Sequence, residues 1–112
     1  MTSCGGPSFA YCAYHSSYTS SGASAIKYSV QPYASCGGCQ LSGGNAAENQ
    51  EFFIGEETID AVTDPTGTGW WNSTSGKEAV ELCLLLAPPP SLGSSGPVLS
   101  YVWSNAQNQC VL

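Results

Sequence analysis

The chain has 112 residues, a formal net charge of −6 and only 9% charged residues. Lys27 and Lys77 are its only lysines and it has no arginine, so it cannot neutralise a phosphate backbone by counterion release, and it lacks the basic patch that an anionic membrane attracts. The longest apolar run, residues 82–87, is far too short to span a bilayer, and the length suits a single domain over residues 1–112.

Turn chemistry at Gly5-Gly6-Pro7 precedes a segment in which Phe9, Tyr11 and Ala13 alternate with Ala10, Cys12 and Tyr14, a period-two pattern that predicts a strand. After Ser20-Ser21-Gly22 comes a second strand, in which Ile26, Tyr28 and Val30 alternate with Lys27 and Ser29. Beyond the glycine pairs at 37–38 and 43–44, residues 52–54 and 58–63 read as a hairpin with Gly55-Glu56-Glu57 at its tip. The alternative is a short helix over residues 45–53, capped by Asn45. Residues 64–67, Asp-Pro-Thr-Gly, form the next turn.

Residues 77–87 fit two patterns. Ser75-Gly76-Lys77-Glu78 resembles a capping box, yet Val80, Leu82, Leu84 and Leu86 alternate as in a strand. The proline-rich stretch 88–97 is stiff and extended, an arm able to reach a neighbour. Residues 98–103 are β-branched and aromatic and predict a strand whose partner is 79–87. The expected fold is therefore all-β, a small sandwich or barrel of about seven short strands stapled by disulfides, with room for one short helix.

The six cysteines are Cys4, Cys12, Cys36, Cys39, Cys83 and Cys110. In an oxidising medium an even set in so small a domain reads as structural disulfides. Their connectivity stays open, although the side-by-side C-terminal segments favour a Cys83–Cys110 bridge. Cys36-Gly37-Gly38-Cys39 admits two other readings. With Cys4 and Cys12 it could hold zinc, although that second pair is widely spaced; a redox pair would need a helix N-terminus that the following residues do not promise.

All eight carboxylates fall between Glu48 and Glu81. Glu56, Glu57, Asp60 and Asp64 could supply an acid–base pair or oxygen ligands for calcium, but the pattern lacks the ladder of a calcium loop, and a solvated hairpin tip is the plainer reading. His15, the only histidine, has Ser16 and Ser17 beside it but no accompanying nucleophile signature. The expectation is no catalytic residue, no metal and no cofactor. For recognition, Trp70-Trp71-Asn72 after a glycine-rich turn stands out, since exposed indoles stack on sugar rings or fill a partner's pocket; Tyr101 and Trp103 join them as binding candidates. Asn72-Ser73-Thr74 is also a glycosylation acceptor sequence.

Residues 1–47 carry one formal charge, Lys27, and residues 82–112 carry none. Such surface is expected to be covered by a neighbour. The reading is a non-catalytic structural module, a coat, decoration or cement component of a virion surface, packed against copies of itself or a larger shell. The beginning Met1-Thr2-Ser3-Cys4 has no basic, apolar export signal, which agrees with that reading. The alternative is a small secreted, extracellular cysteine-rich binder such as an effector, toxin or lectin-like protein.

Overall fold

The computed structural model describes residues 4, 11–22, 24–84 and 96–112. Its dominant element is helix α1, Ala46–Thr63. Asn45 starts it: the Asn45 side chain accepts hydrogen bonds from the backbone N–H groups of Ala47 and Glu48 at 2.9 and 3.1 Å, and Glu48 Oε2 accepts from the Asn45 N–H at 2.8 Å. This reciprocal capping box satisfies donors that a helix start leaves without partners. At the other end the Asp64 N–H bonds to the Asp60 carbonyl at 2.7 Å and Pro65 follows.

The buried residues of α1 are Asn49, Phe52, Phe53, Glu56, Glu57 and Asp60. Their spacing of three and four is one continuous helical stripe. Its first half is aromatic and packs with Cys4, Ala34, Cys39 and Val98 in the hydrophobic core; its second half is acidic.

Strand β1, Tyr14–Tyr18, pairs antiparallel with β2, Ile26–Val30, in the register Tyr14↔Val30 to Tyr18↔Ile26. Alternation puts His15 and Ser17 on the opposite face from Tyr14, Ser16 and Tyr18. Both strands contact α1. A second hairpin joins β3, Val102–Ser104, to β4, Gln109–Val111, around a tip where Asn108 takes φ +53°.

Disulfides Cys4–Cys36 and Cys12–Cys39 hold residues 36–39, which include a short 3-10 turn Gly37–Cys39, against the aromatic half of α1. Cys83–Cys110 ties the turns at 79–84 to β4.

This architecture overturns the all-β expectation. Among the described residues there are two two-stranded sheets and one long helix, not a sandwich or barrel of seven strands. The supposed hairpin over 52–63 is the body of α1, with Gly55 inside it. Its period-three-and-four stripe was hidden because half of its buried positions are carboxylates. Residues 79–84 form turns, and of the segment 98–103 only Val102 and Trp103 are strand; they pair with β4, and a single backbone bond, from the Trp103 N–H to the Ala79 carbonyl at 2.9 Å, joins them to the expected partner 79–87. Of the first predicted strand, residues 9–10 lie outside the described residues, Tyr11 forms an isolated bridge and the β1–β2 ladder begins at Tyr14; most of the proline arm, 88–95, also lies outside the described residues.

Candidate functional site

The acidic half of α1 faces β1 and the segment 78–81. Together Glu56, Glu57, Asp60, Glu78 and Glu81 line a small cavity of about 110 Å³ with His15 at its wall. These groups are not the solvated tip expected from sequence: Glu56 and Glu57 are 7% exposed and Asp60 is 2% exposed.

His15 organises the pocket. Its Nδ1 lies 3.2 Å from Glu57 Oε2; its Nε2 lies 3.1 Å from the Asp64 carbonyl oxygen and 3.5 Å from Glu78 Oε1. Because the Asp64 carbonyl can only accept, Nε2 carries a proton and donates to it. Burial lowers the affinity of His15 for its second proton, but the Asp64 carbonyl, then Glu78 and Glu57, outweigh burial and hold its pKa above the usual 6.5. The Asp64 carbonyl and the two acids thus favour the protonated imidazole against the cost of burying it.

The remaining acids have less help. Asp60 accepts from the Val80 N–H at 3.3 Å and Glu81 from the Glu78 N–H at 3.0 Å. Among the described residues the Glu56 carboxyl has no hydrogen-bond partner, and only burial and neighbouring charges act on it. Burial, reinforced by the charges of Glu57, Asp60, Glu81 and Glu78, pushes its pKa up to about 8. Burial likewise lifts Glu78 to about 7 against the pull of His15, and Asp60 to about 6 against the pull of the Val80 N–H. Glu57 is raised by burial in spite of its bond to His15. The pocket can therefore exchange protons near neutrality, or gather a cation among oxygen donors.

Two open clefts adjoin this centre. One, of about 440 Å³, is lined by His15, Ser16, Asp64, Thr66, Trp71 and Glu78 among others. Its floor is set by the loop after α1, where Asp64 Oδ1 accepts from the Gly69 N–H at 2.6 Å; a Cβ on Gly69 would run into the Thr63 carbonyl oxygen. The second, of about 500 Å³, brings Trp70, Trp71 and Trp103 together. Three of the four sequence-selected binding residues thus meet in one place; Tyr101 is not among its lining residues. Trp71 borders both clefts.

Among the described residues, one trio of metal-capable groups has ligand atoms all within 4.8 Å of one another: the sulfurs of Cys4, Cys36 and Cys39. They belong to two disulfides, so the zinc alternative loses its thiolates. The carboxylates of the pocket stand further apart, the spread that mutual repulsion favours.

Comparisons with family models, curated proteins and solved structures find no match. The site must be read from its own chemistry. Sequence reasoning grouped Glu56, Glu57, Asp60 and Asp64 but placed them at a solvated tip and left His15 apart; it did not offer Glu78 or Glu81 as site residues. The signal that would have joined them is the stripe 49, 52, 53, 56, 57 and 60, continued at the cap by 64.

Proposed function

We propose that the acidic pocket binds a hard divalent cation of the calcium or manganese type and that the chain works through this site. The observation that carries the reading is Glu56: the residue is more than nine-tenths buried, its carboxyl has no hydrogen-bond partner among the described residues, and it faces four further carboxylates across a small cavity. Burying like charges is costly unless protons or a counter-ion neutralise them. Five carboxylates and no thiolate make an oxygen-rich donor set, which suits hard cations. Glu56, Asp60, Glu78 and Glu81 would close on the ion from their present separation, in which no three of them bring oxygens within 4.8 Å of one another, with Glu57 kept in place by His15. The bound ion would supply positive charge able to polarise a ligand oxygen arriving through the cleft between His15 and Trp71.

Calorimetric titration and thermal melting with Ca²⁺, Mn²⁺ and Mg²⁺ at pH 7.5 test it. Saturable binding and a raised Tm are expected, and Glu56→Gln should abolish that rise while making the ion-free protein more stable. Failure of all three ions to bind, or an undiminished effect in Glu56→Gln, would overturn it.

A separate observation favours a second reading, the assembly module at a virion surface or in another extracellular setting. Tyr14, Tyr18, Tyr28 and Ile26 are all exposed on one face of the β1–β2 sheet, with edge-to-face or tilted contacts linking Tyr11, Tyr14, Tyr28 and Tyr18. Aromatic surface of this kind is typical of protein contacts. Sedimentation of the intact chain decides: a monomer at high concentration whose behaviour is unchanged by Tyr18→Ser removes the support for self-association.

A further inference from the structure

We infer that the cleft lined by Trp70, Trp71 and Trp103 is a binding site for an uncharged oligosaccharide. All three tryptophans of the chain converge there, from the loop after α1 and from β3, interleaved with the side chains of Asn72, Asn105 and Asn108. No lining residue is charged. A phosphate, carboxylate or ammonium ligand would therefore leave water without a counter-charge, whereas a neutral ligand loses nothing by it. A volume of about 500 Å³ falls within the usual range of small-molecule sites.

The composition matches a sugar on both of its aspects. Indole faces cover the apolar C–H side of a pyranose ring, and amide NH₂ groups donate to its hydroxyl oxygens. A purely apolar ligand would strand those amides, and a purely polar one would leave the indoles unused.

The site is also held in place before any ligand arrives. The Trp70 N–H donates to the Thr63 carbonyl at 3.1 Å, and the Asn72 N–H donates to the Lys77 carbonyl at 2.8 Å. Asn72 Oδ1 accepts from the N–H groups of Thr74 and Ser75 at 3.0 and 2.9 Å, which leaves its NH₂ group to donate. Trp103 Nε1–H donates to Asn105 Oδ1 at 2.9 Å, orienting ring and amide together and again leaving an NH₂ group over. Trp103 is paired across the hairpin with Cys110, which the Cys83 disulfide anchors. These bonds fix the backbone at Trp70 and Asn72 and orient Trp103, which lowers the ordering cost of binding at those positions. Trp71, 49% exposed, lines both this cleft and the one that reaches His15 and Glu78. The inference rests on the tryptophan cleft alone and does not require the cation site.

The test is calorimetry and tryptophan fluorescence with the β-1,4-linked hexamers of glucose and of N-acetylglucosamine, with polygalacturonate as an anionic control. It is run in chelator, so that its result is separate from the cation titration. At least one neutral hexamer should saturate, polygalacturonate should not, and Trp71→Ala should weaken binding at least tenfold with the far-ultraviolet circular dichroism unchanged. Asn108→Gly, which keeps the positive φ while deleting the amide, should weaken it severalfold and serves if Trp71→Ala does not fold. Absence of saturation by both hexamers at millimolar concentration, tighter binding of polygalacturonate than of either, or wild-type affinity in the folded variants would overturn the assignment.

Discussion

His15 and Glu57 are 42 positions apart in sequence and 3.2 Å apart in the fold. Their contact joins β1 to the acidic half of α1. It also brings to the pocket its one imidazole, because neither Lys27 nor Lys77 lines that cavity. Removing His15 should therefore cost more when the acids are ionised than when they are protonated. His15→Ala is expected to destabilise the protein by about 3–5 kcal/mol at pH 7.5, the range for breaking a buried pair by removing one partner, and by clearly less at pH 4.5. Urea denaturation at the two pH values checks this; equal losses would mean that His15 acts by packing alone.

The ion-free protein should be more stable in acid than at neutral pH. Glu56, Asp60 and Glu78 have folded pKa values above their unfolded ones, so the native state binds protons more tightly than the unfolded chain. Stability is then greatest below about 4 and declines as pH rises through about 6 to 8. His15, also raised, acts in the same direction. For Glu56, a rise from 4.5 to about 8 corresponds to roughly 5 kcal/mol at about 1.4 kcal/mol per unit. Melting curves in chelator between pH 4 and 9 should show this decline, flattened in Glu56→Gln. A Tm that climbs across that interval would contradict the buried placement of the acids.

Gly55 distinguishes a helix from a turn. It lies inside α1, and a Cβ built there meets no atom within 4 Å. Gly55→Ala should raise stability by about 0.5–1 kcal/mol through reduced backbone freedom of the unfolded chain. In the hairpin suggested by the local sequence the same change would be neutral or harmful. Denaturant midpoints of the two proteins give the answer.

The Cys83–Cys110 bridge closes a loop with a sequence separation of 27. Chain entropy alone assigns such a bridge about 3.5 kcal/mol. The paired substitution Cys83→Ala/Cys110→Ala should lose stability of that order and loosen Trp103, seen as weaker near-ultraviolet dichroism. A double variant that keeps both properties would show that β3–β4 is held by its ladder and turn.

Much of the local chemistry was legible in the sequence. Asn45 three residues before Glu48 announces a helix start, and the alternation at Ile26, Tyr28 and Val30 gives β2, because capping and strand pairing depend on near neighbours. Cys83 and Cys110 do pair, although the strands expected to carry them do not form side by side. The body of α1 was missed for a physical reason. Hydropathy marks a buried face only when apolar residues fill it, and here Glu56, Glu57 and Asp60 occupy the positions that extend Phe52 and Phe53. Gly55, which tends to read as a turn, lies between them. That these acids are buried, and that His15, Glu78 and Glu81 come to meet them, was decided by long-range packing of β1 and the 78–81 segment on the helix. The sequence by itself determined the charge segregation, the helix cap and the supply of cysteines and tryptophans. Only the tertiary structure put the acids in one pocket and the indoles in one cleft, since desolvation and charge–charge repulsion depend on distances that no local pattern encodes.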